Sequence, residues 1–200
     1  SEPGSYLYCG LSRDASKEEI LERINNNTIT DILNKIEVKA GDVVMVKAGT
    51  IHAIGAGVFI CEIQQNSNCT YRMYDYDRRD KFGNPRELHV KKALDVVDNH
   101  KYIKDNKTEV VIARNEHFTE ERLVQCKYFE VYKYDVNDEA KITVDEASFV
   151  SVLFINGSGT IETDDYEKTM EFKAGDSFFV SAGLRSIIVK GRATMVVTRV

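Results

Sequence analysis

The chain has 200 residues, 42% hydrophobic and 30% charged, enough for one large or two small β-rich domains with their own cores, which excludes a disordered polymer. Its formal net charge is −5, with both signs interspersed and no Lys/Arg cluster, so it lacks the electrostatic footprint of a nucleic-acid binder. No apolar run reaches the length of a membrane span, and Ser1-Glu2-Pro3-Gly4 reads as neither a signal peptide nor a natural start; the expectation is a soluble, cytoplasmic, truncated chain.

Ser16-Lys17-Glu18-Glu19 has the Ser-x-x-Glu form of a capping box, and Ile20, Leu21 and Ile24 follow at helical spacing until Asn25-Asn26-Asn27, which predicts a short helix. A second short helix is predicted over Thr30 to Ile36, with Ile32, Leu33 and Ile36 on its buried side. The pattern then becomes strand-like. Lys39 to Asp42 is a turn, Val43 to Val46 a strand, Ala48-Gly49 a turn, and Val58 to Ile63 a strand entered through Gly55 and Gly57. Thr70 to Tyr76 reads as strand and Phe82 to Pro85 as loop, while Leu88, Ala93, Leu94 and Val97 predict a helix that closes a first unit.

After a polar connector from Asn99 to Asn106, nearly everything reads as strand: Val110 to Ala113, Leu123 to Cys126, Phe129 to Tyr134, Lys141 to Val144, Phe149 to Ile155, Gly159 to Thr163, Glu167 to Phe172, Ser177 to Val180 and Ser186 to Val200. Asn156-Gly157-Ser158-Gly159 is predicted to be a hairpin turn between two of them. Short antiparallel strands at this spacing make a sandwich or small jelly-roll barrel, here one and a half of them.

One segment occurs twice. Val38-Lys39-Ala40-Gly41-Asp42 and the residues up to His52 align with Phe172-Lys173-Ala174-Gly175-Asp176 and the residues up to Ser186, in phase over glycines and apolar positions. Such a repeat implies one structural unit used twice, and since the second copy carries Ser186 where the first has His52, the fold itself does not require a histidine there. A lone strand histidine serves either packing or ligation, and Gly-rich turns on both sides of His52 bring backbone close to it.

Glu62, Gln64, Gln65, Asn66, Asn68, Thr70, Arg72 and Asp75 form a dense polar tract, which fits a solvated edge strand or a ligand-facing wall. Glu62 and Arg72 each sit between apolar or aromatic strand neighbours, and a guanidinium offers a planar fork of donors to a phosphate or a developing oxyanion. Asp75 to Asp80 alternates charge, so Arg78, Arg79 and Asp80 read as a solvent-facing network. His89, His100 and His117 stand apart with no paired carboxylate and receive no role. The four cysteines show no Cys-x-x-Cys pair, so a zinc-thiolate site is not expected and the thiols read as reduced. No phosphate-binding glycine loop and no nucleophile elbow occur.

Ala48-Gly49-Thr50-Ile51-His52-Ala53-Ile54-Gly55, Glu62-Ile63-Gln64-Gln65-Asn66-Ser67, Thr70 through Arg78, and Arg86-Glu87-Leu88-His89 together resemble the type I mannose-6-phosphate isomerase family, double-cupin zinc enzymes, in its short bacterial form. The resemblance implies a mainly β double-stranded β-helix (cupin, jelly-roll) fold, with the C-terminal portion of a first, catalytic cupin and a helical insert over residues 1–100, and a complete second, metal-free cupin over 101–200. It implies interconversion of mannose 6-phosphate and fructose 6-phosphate with one zinc per full-length chain. His52 then falls on the zinc histidine and Arg72 on the catalytic arginine, with Glu62 and Asn66 as substrate contacts. The family's other zinc ligands lie N-terminal to the region that Ser1 matches, so on this resemblance the chain supplies His52 alone. The alternative is a non-catalytic cupin that binds sugars or regulates. Exposed edges of an incomplete barrel make homodimerisation an expectation as well.

Overall fold

In the computed structural model, which describes residues 1–67, 69–104, 110–163 and 166–200, the first hundred residues make a small sheet with helices. Two compact units result, Ser1–Lys104 and Asp105–Val200.

In the first unit, strands β1 (Tyr6–Leu11), β2 (Leu33–Glu37) and β3 (His52–Ile54) form an antiparallel sheet in the order β2-β1-β3, with Cys9 opposite His52 and Tyr8 opposite Ala53. Helix α1 (Lys17–Asn25) starts as the capping box predicts: the Glu19 amide donates to Ser16 Oγ at 3.1 Å. Ile20 and Ile24 pack with Leu11, Ile29, Ile32 and Val97 to form the core. Helix α2 (Val90–Val96) buries Ala93.

Several predicted elements take other forms. The helix expected over Thr30 to Ile36 is a 3-10 turn (Ile29–Ile32) running into β2, because Leu33 to Glu37 pairs its backbone with β1, a strand the sequence reading did not contain. A short apolar run fits either period, and the available partner decides. Val43–Val46, Val58–Ile63 and Thr70–Tyr76 are not strands. Alternation specifies which side chains are exposed, but a ladder also needs a partner, and here the neighbouring backbone bonds singly, as Glu2 N–H to Gly57 O (2.9 Å) and His89 N–H to Arg72 O (2.7 Å).

In the second unit, β4 (Val110–Arg114), β5 (Phe118–Gln125), β6 (Glu130–Val136), β7 (Glu139–Val144), β8 (Val150–Thr163), β9 (Tyr166–Lys173), β10 (Ser177–Val180) and β11 (Arg185–Arg199) form one antiparallel sheet along the path β10-β8-β11-β6-β5-β4, with β7 on β11 and β9 on β8. The alternation of β7, with Ala140, Ile142 and Val144 buried, is that of a half-buried strand. Ile142, Phe154, Ile187 and Met195 are fully buried, and Phe154 stacks on Phe172.

The hairpin predicted at Asn156 to Gly159 is absent. β8 runs straight through it, pairing Gly157 with Ala193 and Gly159 with Gly191 along β11. A Cβ on Gly157, whose φ is +90°, would lie 1.9 Å from the Arg192 carbonyl oxygen, so this glycine permits a close backbone approach rather than a reversal.

The repeat is visible as one turn built twice. The Lys39 amide donates to Asp42 Oδ2 at 2.9 Å, and the Lys173 amide donates to Asp176 Oδ2 at the same 2.9 Å. Gly41 and Gly175 share φ near +91°, as do Gly49 and Gly183 near +83°. All four cysteines are free, Cys9 buried and Cys61 and Cys69 exposed. No helix of the described residues is long and apolar enough to cross a membrane.

Candidate active site

His52 opens β3, and two glycines fix the chain around it. A Cβ on Gly49 would meet the Val96 carbonyl at 2.7 Å, and one on Gly55 the Tyr6 carbonyl at 2.4 Å, so backbone packs tightly on both sides of the histidine. His52 Nδ1 lies 3.0 Å from the Thr50 carbonyl, which can only accept, so Nδ1 carries a proton, and the neutral ring in this tautomer has its lone pair on Nε2, open to a ligand.

That side chain lines a cavity of about 670 Å3 built wholly from the first unit. Arg72, half-buried, lines the same cavity, and its Nη1 donates to the Glu87 carbonyl at 3.3 Å. Its backbone is tied to His89, whose amide donates to the Arg72 carbonyl at 2.7 Å and whose Nδ1 accepts the Arg72 amide at 3.3 Å. His89, to which the sequence assigned nothing, thus holds the arginine's backbone.

Tyr6, Tyr8, Tyr74 and Tyr76 supply aromatic wall. Tyr6 and Tyr8 meet edge to face at 5.4 Å, and Tyr74 and Tyr76 lie 4.9 Å apart. Burial pushes the Tyr8 and Tyr76 phenols up, with neighbouring tyrosines adding to it, so both stay protonated and able to donate.

The charged lining departs from the sequence reading. Arg78, expected in solvent, lines the cavity together with Arg86, and both reach Asp75: Arg78 Nη2 is 2.6 Å and Arg86 Nη1 3.5 Å from Asp75 Oδ1. Alternating charge hid this, because the backbone at Tyr76 (φ 57°) and Asp77 (φ 50°) turns left-handed and folds Arg78 back on Asp75. Among the described lining residues three arginines face one carboxylate, a cationic cavity in an acidic chain.

Glu62 and Asn66 are exposed and are not part of that lining; Asn68 lies outside the described residues. Among the described residues no three His, Cys, Asp or Glu side chains converge as a metal site. A catalytic zinc takes about three protein ligands, so the described residues do not make a zinc site of their own, although the tautomer of His52 suits one ligand of such a set.

Comparison with known proteins finds clear relatives. The chain is 40% identical over 190 residues to the putative mannose-6-phosphate isomerase YvyI of Bacillus subtilis, covering 92% of this chain and 57% of that protein. The crystal structure of the mannose 6-phosphate isomerase from the same organism superposes with a TM-score of 0.87 at 36% identity, over 98% of this chain and 60% of that one. The chain is similar to mannose-6-phosphate isomerases along nearly its whole length. Residues 119–200 match the family described as mannose-6-phosphate isomerase, cupin domain, and the fold is of cupin type. The isomerase ManA of B. subtilis is 33% identical over 193 residues, 92% of this chain and 56% of its own length. The chain therefore spans little more than half the length of its mannose-6-phosphate isomerase relatives.

Proposed function

We propose that this chain carries the arginine-bearing part of a site that interconverts mannose 6-phosphate and fructose 6-phosphate. The observation that carries the reading is that His52 and Arg72, distant in sequence, line one cationic, tyrosine-walled cavity in a chain similar to the isomerases. The cavity's volume lies in the range of small-ligand sites, and its charge suits an anionic sugar.

Aldose–ketose isomerisation removes a proton from C2 and returns one to C1, shifting the carbonyl through an enediol in which negative charge develops on the sugar oxygens. Arg72 answers that charge: its guanidinium, held by the Glu87 carbonyl and by the backbone bonds to His89, needs little reorganisation to meet an oxyanion. Protonated phenols on the wall donate to hydroxyls. His52 is a zinc ligand in this reading, presenting Nε2, in a ligand set that the described residues do not complete.

The test is Arg72→Ala in the intact enzyme, with turnover of mannose 6-phosphate and the melting temperature both measured. Loss of one preorganised oxyanion partner lowers kcat by about 10²- to 10³-fold with the fold retained. Unchanged turnover would overturn the assignment and favour a sugar-binding module.

A further inference from the structure

Asp75 is 6% exposed and stands on the cavity wall, yet only its Oδ1 is engaged: Oδ2 is buried without a hydrogen-bond partner. A buried carboxylate oxygen left without a donor calls for an explanation, because removing it from water has to be offset by some interaction. Around it the chain goes to some lengths. Tyr76 and Asp77 both take left-handed backbone, a conformation that persists in side-chain-bearing residues only where the surroundings hold it. The result is that Arg78 returns to its own turn three times over, with its amide and its Nε on the Asp75 carbonyl (3.0 and 3.2 Å) and its Nη2 on Oδ1. Arg86, from beyond the Asp80 to Asn84 turn, approaches the same Oδ1.

One carboxylate therefore orients two guanidiniums whose own side chains are more than half exposed, 62% and 53%. The single negative charge does not neutralise the pair, so one net positive charge and several N–H donors remain for a ligand. Guanidinium forks match the oxygens of a phosphate.

We infer that Asp75, Arg78 and Arg86 form a phosphate-binding subsite of the cavity, with Asp75 as the positioning residue that aims the two arginines. The inference rests on the sugar-phosphate reading above and adds to it which residues take the phosphate end. Arg72 is then left for the reacting end of the sugar, while Asp75 stays behind the two arginines with its Oδ2 out of contact with solvent.

The experiment titrates the chain calorimetrically with inorganic phosphate, mannose 6-phosphate and mannose, in the unaltered protein and in Arg78→Gln, Arg86→Gln, Asp75→Asn and Arg78→Lys, each at two salt concentrations. Phosphate and mannose 6-phosphate are expected to lose tenfold or more in affinity in the two glutamine variants while mannose is unaffected, and each lost arginine flattens the salt dependence. Asp75→Asn weakens both anions and leaves the cavity's shape, and Arg78→Lys recovers part of the affinity by charge alone. A purely structural clamp would move the melting temperature but not the salt dependence. Mannose 6-phosphate bound equally well by all variants would overturn the subsite and leave the isomerase reading standing. Phosphate bound through Arg78 and Arg86 with no affinity for mannose 6-phosphate would support the anion subsite and overturn the sugar-phosphate reading. Binding of neither anion by the unaltered chain would overturn both.

Discussion

Arg72 and His89 exchange two hydrogen bonds, the His89 amide to the Arg72 carbonyl at 2.7 Å and the Arg72 amide to His89 Nδ1 at 3.3 Å. Because an amide can only donate, Nδ1 must be unprotonated in this pairing, and the imidazole acts as a second backbone acceptor for the segment that carries the arginine.

His89→Ala removes that acceptor while leaving the guanidinium untouched. On the proposed isomerase reading, and with a hydrogen bond worth about 1 kcal/mol, kcat/KM for mannose 6-phosphate falls by about fivefold to tenfold. His89→Asn, whose side-chain oxygen can stand in for Nδ1, recovers much of it. The His89 ring also lies against Tyr71, with centroids 6.3 Å apart, so recovery separates loss of the acceptor from loss of that packing; equal defects in both variants would place the effect in packing.

Gly157→Ala places a methyl group 1.9 Å from the Arg192 carbonyl oxygen at a φ of +90°, where neither the space nor the backbone suits a side chain. The β8–β11 pairing must open to relieve it. Destabilisation of about 3 kcal/mol or more is expected, measured as a shift of the urea midpoint at unchanged slope. A surface substitution such as Gly175→Ala, which meets nothing within 4 Å, bears only the backbone penalty and costs less.

The same glycine shows what the sequence could not convey. Asn-Gly between apolar runs is the standard hairpin signal, and here it marks a close crossing inside a long strand, because β11 offers thirteen residues of ladder to β8 only once the sheet exists. Helix α1 was legible because Ser16 Oγ accepts the Glu19 amide locally, as an N-cap does. Strand β7 was legible because burial alternates along it, and β6, β10 and β11 because they are rich in β-branched and aromatic residues. β1 was not, since Gly10 at φ 67° breaks its pattern, and β2 was not, since Leu33 and Ile36 fit a helical spacing equally well. Within the site, His52 stood out through the repeat and Arg72 through its apolar neighbours, but Arg78 and Arg86 did not. Their placement depends on two left-handed residues and a buried carboxylate, and neither leaves a periodic trace.

Tyr134, buried in the second unit, donates from Oη to Glu120 Oε1 at 2.6 Å, and burial with that carboxylate beside it pushes the phenol well above its ordinary range. Tyr134→Phe keeps the ring and deletes the donor, leaving a half-buried carboxylate short of a partner. A loss of about 1–3 kcal/mol follows. Replacing Glu120 with Gln in the Phe variant returns part of it by removing the charge, so a double-mutant cycle over the two positions should show clear coupling.

Glu19 is held at a pKa of about 2 by Arg13, whose Nη1 donates to its Oε2 at 3.1 Å, and then by Arg23, whose Nε donates to Oε1 at 2.9 Å. A depressed carboxylate contributes its stabilisation in full above the unfolded value near 4.3 and loses it as pH falls toward 2. Carboxyl carbon NMR should place the midpoint near the lower figure, and Arg13→Ala should raise it. Added salt should weaken the effect, since the cluster is at the surface.

His117 behaves in the opposite sense. Asp138 lies 2.8 Å from its Nδ1, and that bond first, then the charge of the carboxylate, raise the imidazole above its usual value. The pair ties the β4–β5 turn to the β6–β7 turn, where the Asn137 amide also donates to the His117 carbonyl at 2.7 Å. With the folded value raised, the contribution is complete below the unfolded value near 6.5 and disappears as pH rises through the folded one. The urea midpoint should therefore be lower at pH 8.5 than at pH 6 by an increment that vanishes in Asp138→Asn, and the His117 ring protons should titrate above an ordinary histidine only while Asp138 is present. An unchanged titration in Asp138→Asn would show that solvent screens the pair completely.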